Sequence, residues 1–295
     1  MKNLFNVIKI ELRKSLLSKK FLMGLTLLSV LSILSALYMI ESRGGYNPND
    51  VLSSMNAGKY VSNPDLPLFT FYNSWVGGDD LSLASTLFYT LLPFGATLPF
   101  GWSFCLERNS GYLKNIYSRI DKWIYLSGKT IAVFFSGSLV AFISLVTNIL
   151  LVLAKIPLVT PFAGYNFYNH IYFGNLWSDL YFATPGIYVL LYVLLDTIYG
   201  GLFALLGFSI GFYLRNIIAV TLSPFLLMIA AGYFESILQS GSTDHVPVEF
   251  VPTLFLHSQS LHSQTMAWSV ILVTIAILAF SLFTIFARGT KDEIM

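Results

Sequence analysis

Charge is what this chain has least of: Asp, Glu, Lys and Arg together make up 11% of its 295 residues, against roughly 25% in a globular chain. That scarcity excludes an ordinary water-facing surface. The 17 basic residues barely outnumber the 15 acidic ones, so no strong positive field invites nucleic acid, and 55% hydrophobic residues exclude a disordered chain. Cysteine occurs once, at Cys105, which leaves no intramolecular disulfide and no thiolate metal cluster. Familiar catalytic signatures are missing too. Gly128-Lys129-Thr130 resembles the end of a phosphate loop, but the glycine that such a loop needs five positions before Gly128 is replaced by Trp123. No Gly-x-Ser-x-Gly elbow occurs, and His170, His245, His257 and His262 fall at no metal-ligand spacing. We expect no cofactor and no metal in this chain.

What the chain has instead is long apolar runs. A helix crossing a hydrocarbon core about 30 Å thick needs about 20 mostly apolar residues, because each backbone amide must find its partner inside the segment. Six runs meet that length: Phe21 to Ile40, Leu81 to Cys105, Thr130 to Ala154, Pro185 to Leu214, Ile217 to Leu238 and Met266 to Ala287. Thr130 to Ala154 carries no charged residue at all, which a soluble amphipathic helix would not do. The expected fold is an all-α membrane protein of six transmembrane helices.

Basic loops stay on the cytoplasmic side, and their distribution sets the orientation. With the N-terminus inside, Lys2, Lys9, Arg13, Lys14, Lys19, Lys20, Arg108, Lys114, Arg119, Lys122, Lys129, Arg215, Arg288 and Lys291 all lie inside. Only Arg43, Lys59 and Lys155 lie outside. Both termini are therefore expected in the cytoplasm, in a multi-pass protein of the cell membrane. Residues 1–20 read as an amphipathic helix on the inner leaflet, with Leu4, Phe5, Ile8, Leu12 and Leu16 at three-to-four spacing. Residues 21–295 are expected to form one six-span transmembrane domain. Its outer loops are 41–80, 155–184 and 239–265, and its one substantial cytoplasmic connection is 106–129. The 155–184 loop, with Phe162, Tyr165, Trp177 and Tyr181 among its rings, fits an aromatic belt at headgroup depth. The 239–265 connection is apolar enough to dip inward as a short hairpin.

Two carboxylates fall within the runs. Asp196 costs about 2.5–3.5 kcal/mol at mid-membrane on insertion scales, so it lines a translocation path or proton site, or bonds one helix to another. Glu235 lies near the outer end of its run. Gly200, Ala204, Gly207 and Gly211 strip one face of the fourth run, allowing close packing against a helix of the same chain or of a second copy. Pro93 and Pro99 remove amide donors from the second run and break it, a feature tolerated beside protein or a cavity and so a candidate part of a path.

The 106–129 segment carries Glu107, Gly111, Leu113-Lys114, Ser118-Arg119 and Tyr125-Leu126-Ser127-Gly128-Lys129 in that order. This ordered set resembles the permeases of type-2 ATP-binding-cassette exporters; the departure is Tyr117, where a Pro commonly precedes the Ser-Arg pair. The resemblance implies a coupling helix between spans two and three that contacts a soluble ATPase through Glu107, Gly111, Tyr112, Leu113, Lys114, Ile116 and Arg119. It also implies two ATPase copies holding ATP and Mg, and a second permease chain, identical or different. The function it implies is export of a hydrophobic or amphipathic substrate such as a peptide, drug or lipid-like molecule, with no enzyme activity in this chain. Two other readings stay open: a membrane enzyme built from Asp196, Glu235 and the outer histidines, and a sensor or scaffold paired with an ATPase.

Overall fold

The computed structural model describes residues 2–44, 70–79, 81–161, 171, 175–239, 248–258 and 264–289, and the described residues are almost wholly helical. Five helices are long and apolar enough to cross a membrane, making this a multi-pass membrane protein. The chain starts with α1 (Lys2–Leu16), turns at 17–18, and continues as the first of the five, α2 (Lys19–Gly44).

The second run does not form one continuous helix. It contains α3 (Leu83–Thr97), a turn, and α4 (Ser103–Asn109). Ser82 starts α3 by accepting the Ser85 amide at 3.1 Å, and Pro93 is absorbed inside the helix. Pro99 is not: it has no amide to carry the hydrogen-bond ladder on, and the helix stops at Thr97 even though Leu98 keeps helical backbone. At 1.5 Å per residue, the 15 residues of α3 reach about 22 Å, short of a bilayer core, so α4 completes the path between the two ends of the bundle.

The segment 106–129 is likewise not a single helix. Gly111, at φ 71°, turns the chain from α4 into the six-residue α5 (Tyr112–Tyr117), a left-handed conformation that a side chain would strain. Asp121 then caps α6 (Lys122–Leu153) through the Trp123 amide at 3.1 Å. The third long helix thus begins eight residues before its apolar run, at Lys122 instead of Thr130. Its 32 residues span about 48 Å, longer than a bilayer core about 30 Å thick. After the short α7 (Ser178–Ala183) come α8 (Pro185–Ile210), α9 (Ile217–Gln239), the four-residue α10 (Pro252–Phe255) and α11 (Ala267–Gly289).

The core is built on α6 and α8. A Cβ at Gly137 would lie 2.6 Å from both the Gly200 carbonyl and the Ala204 Cβ, so the two backbones touch where neither carries bulk. The small-residue face of α8 is therefore filled by this chain's own helices: Gly200 and Ala204 meet α6, while Gly207 faces Thr97 and Pro224. Polar bonds hold α2 to α6. Ser32 donates to the Ser144 carbonyl at 2.9 Å, and Asn148 donates to the Ser32 carbonyl at 2.7 Å. By contrast α9 and α11 present wide apolar faces outward, with Ile218, Tyr233, Ile275 and Phe283 exposed, as lipid-facing helices do.

At one end of the bundle, termed the basic end, Val7 of α1 packs on Gly128, and Gly289 of α11 packs on Leu126. The opposite end is closed by protein. Residues 70–79 fold inward, burying Phe71, Trp75 and Val76, and Asn148 accepts the Val76 amide at 2.8 Å. The 239–265 connection also turns inward in its described part: Phe255 and Leu256 are fully buried, and Ser258 donates its amide (2.9 Å) and hydroxyl (2.7 Å) to the Gly77 carbonyl. In the 155–184 loop, Trp177 and Tyr181 pack edge-on against Tyr192 and Tyr188, so those rings serve as core; Phe162 and Tyr165 lie outside the described residues.

Candidate functional site

The concentrated chemistry of the described residues lies at the basic end, where α1, α4, α5 and the foot of α6 meet. Lys129 is fully buried there, an unusual place for a lysine and one that requires counter-charge. Its ammonium donates to the Glu107 carboxylate of α4 and to the Tyr125 hydroxyl at 2.9 Å, and lies 3.6 Å from Glu11 of α1. Tyr125 also donates to Glu107. Glu11 is held from its other side by Lys14 at 2.6 Å. Burial works against the charge on Lys14, but the hydrogen bond and charge of Glu11 outweigh it and hold the Lys14 pKa above its ordinary value. Two cations and two carboxylates thereby tie three sequence-distant elements together.

This geometry changes the reading of α1. Its buried positions are Val7, Glu11 and Ser15, one turn apart, and they face protein. Leu4, Ile8, Leu12 and Leu16 flank that stripe half-buried, while Phe5 is exposed. Along that edge the helix is docked to α6. Hydropathy spacing did not reveal this, because the docking stripe contains a carboxylate and a hydroxyl.

A second set of bonds ties the same segment to the α8–α9 turn. Arg108 donates to the carbonyls of Phe212 and Leu214, both at 2.9 Å, and Asn109 donates to the Arg215 carbonyl at 2.7 Å. These are carbonyls of the turn that follows α8, outside any helix that could supply their partners. Neither residue stood among the predicted coupling residues; a basic residue just ahead of a glycine turn is the only signal that could have found them.

The predicted coupling residues divide by exposure. Tyr112, Lys114 and Arg119 face outward, Ile116 is half-buried, and Glu107 turns inward to Lys129. Leu113, expected on the outer face, is 2% exposed and packs in the cluster that contains Phe104, Tyr125 and Phe212. In a helix of six residues one side must bury something, and Leu113 is that side's apolar residue.

The remaining predicted residues lie elsewhere. Asp196 is fully buried in α8 and accepts the Tyr89 hydroxyl of α3 at 3.0 Å; its second oxygen has no protein partner. That bond ties α8 to α3. Pro93 lies one turn beyond Tyr89, buried, its carbonyl accepting the Thr97 hydroxyl at 2.6 Å, and Pro99 packs toward Gly24 of α2. Glu235 accepts the amides of Phe250 (3.1 Å) and Val251 (3.0 Å), fixing the inward turn before α10. His257 sits 3.1 Å from the Ser85 hydroxyl and 2.9 Å from the Asp79 carbonyl, with its ring against Tyr89. His170, His245 and His262 lie outside the described residues. Tyr89 thus joins Asp196 and His257, whereas Glu235 is engaged with loop amides. Among the described residues no three His, Cys, Asp or Glu side chains gather in a way that could hold a metal ion.

No protein family, curated protein or solved structure matches this chain.

Proposed function

We propose that this chain is the membrane subunit of an ATP-binding-cassette exporter. A separate soluble ATPase would drive it, and it would move a hydrophobic or amphipathic substrate. The observation that carries this reading is mechanical. The segment 106–117 offers an exposed polar face at Tyr112, Lys114 and Asn115, and its back is bonded to α6 through Glu107 and to the α8–α9 turn through Arg108 and Asn109. A force applied to that face passes directly into the two helices that form the core, and coupling requires such a path. The ordered sequence set from Glu107 to Lys129 supports the same reading by resemblance.

In this proposal α3 and α4 together make the sixth crossing, in broken form, which brings both ends of the chain to the cytoplasmic side. Two such chains, alike or different, would pair with two ATPase copies, which hold ATP and Mg. Contact would run through Tyr112, Lys114 and Arg119, with Leu113 and Gly111 shaping the helix from behind. The enzyme reading has less to stand on, because Glu235, His257 and Asp196 each already complete a packing bond.

Affinity purification of the intact chain from its native membrane tests the proposal. A soluble ATPase should co-purify, and Lys114→Glu with Arg119→Glu should release it without altering insertion or thermal unfolding. Absence of any ATPase from the wild-type preparation, or unchanged complex and substrate flux in the double variant, would overturn it. Flux into inside-out vesicles separates an exporter from a sensor that keeps the complex but moves nothing.

A further inference from the structure

A crevice of about 540 Å³ opens at the basic end between the last turns of α1 and the α4–α5 corner. That volume is within the range of small-molecule sites. Trp102, Leu106 and Tyr112 give it an apolar wall, and Lys14, Ser103 and Glu107 a polar one. Ser103 is 3% exposed, and its hydroxyl has no hydrogen-bond partner within the protein. A buried hydroxyl in that state carries a desolvation cost that an acceptor in the crevice would remove.

The charges around it specify what kind of acceptor. Glu107 is already bound by Lys129 and Tyr125, and Glu11 by Lys14 and Lys129, so the carboxylates are offset where they stand. Lys14 has three N–H donors and gives one to Glu11. Arg13, Lys19 and Lys20 crowd the same α1–α2 corner, and Lys20 lies 3.2 Å over the Trp102 ring. Cations clustered beside a tryptophan are the composition of a membrane interface facing anionic headgroups. The apolar wall of Trp102, Leu106 and Tyr112 beside those cations suits an acceptor that carries a hydrocarbon tail.

We infer that this crevice binds the phosphodiester headgroup of an anionic phospholipid, with Ser103 donating to a phosphate oxygen, Lys14 donating one of its remaining N–H groups, Arg13, Lys19 and Lys20 supplying the surplus positive charge, and the acyl region lying against Trp102 and Leu106. The site lies against α1, so a lipid held there braces the docked helix against the coupling corner.

Native mass spectrometry of the purified full chain, with phosphatidylglycerol as probe, tests this. No ATPase is needed, so the outcome is separate from that of the exporter proposal. Wild type should retain one phosphatidylglycerol per chain; Ser103→Ala and Lys14→Gln should each weaken retention about tenfold, as loss of a charge-assisted bond does. Ser103→Ala should not lower the unfolding temperature of the lipid-free chain, since it removes an unpartnered buried hydroxyl, and this separates lost binding from lost folding. Equal retention by wild type and both variants would overturn the inference, as would equal retention of phosphatidylcholine. Displacement of the lipid by an equal concentration of inorganic phosphate would assign the site to a soluble anion and overturn it too.

Discussion

Replacing Lys129 with methionine removes the cation shared by Glu107 and Glu11 while keeping most of the side chain's volume. The Lys129 side chain is fully buried and Glu107 is only 12% exposed; Glu11 keeps Lys14 at 2.6 Å, so the carboxylate left without a cation is Glu107. Removing one member of a buried pair costs about 3–5 kcal/mol, because the charge left behind is uncompensated. At about 2–4 °C per kcal/mol the apparent Tm should fall by about 6–20 °C. Tryptophan fluorescence during a thermal ramp in detergent reads this directly, since Trp123 lies two turns before Lys129 on the same helix. The sharper result comes from the triple variant Lys129→Met, Glu107→Gln, Glu11→Gln. With both carboxylates neutralised, it should regain most of the lost stability, because a neutral polar group is far cheaper to bury than an ion. A single variant melting within 2 °C of wild type, or a triple variant no better than the single, would refute the account of the basic end as a charge-balanced joint.

Other perturbations separate the remaining contacts. Asp196→Asn keeps an acceptor for Tyr89, whereas Asp196→Leu strands that buried hydroxyl at a cost of about 1–3 kcal/mol, so Asn should melt higher than Leu; the reverse order would dismiss the Tyr89 bond. Gly200→Val should destabilise by about 1–3 kcal/mol or more, since its Cβ would sit 2.7 Å from that of Ala141 and 3.0 Å from the Gly137 carbonyl. Gly186→Ala, with nothing within 4 Å, is the control and should move stability by less than about 0.5 kcal/mol. For topology, Lys19→Cys and Arg288→Cys should react with a membrane-impermeant maleimide from the same side and Leu158→Cys from the other, with buried Cys105 giving little background. Labelling of Lys19→Cys and Arg288→Cys from opposite sides would show that α3 and α4 do not complete a crossing.

Much of the architecture was legible because hydrocarbon imposes it. α2, α6, α8, α9 and α11 follow runs that nothing except a long apolar helix can satisfy. Pro93 and Pro99 signalled trouble in the second run, but not that one would be absorbed and the other would end the helix; that depends on what each packs against. The ionic joint was out of reach for a different reason. Glu11 and Lys129 are 118 positions apart, and no periodicity relates a residue to a partner on another helix. The burial of Leu113 was not legible, because exposure on a six-residue helix is decided by its neighbours, Phe104 and Phe212 among them, and not by its own spacing. Gly111 was the exception, since a left-handed turn leaves its mark in the residue itself.

The far-end closure also dictates a schedule. Gly77 leaves the ribosome some 180 residues before Ser258, whose amide and hydroxyl are the groups that engage its carbonyl. Until then that carbonyl lacks the Ser258 donors, and the aromatic wedge, though already joined to Asn148, lacks its last wall. The stopper therefore seats as one of the final acts of biogenesis, after α9 has been threaded. Shortening the nascent chain before residue 252 should yield a bundle with its helices in place and its far mouth unsealed.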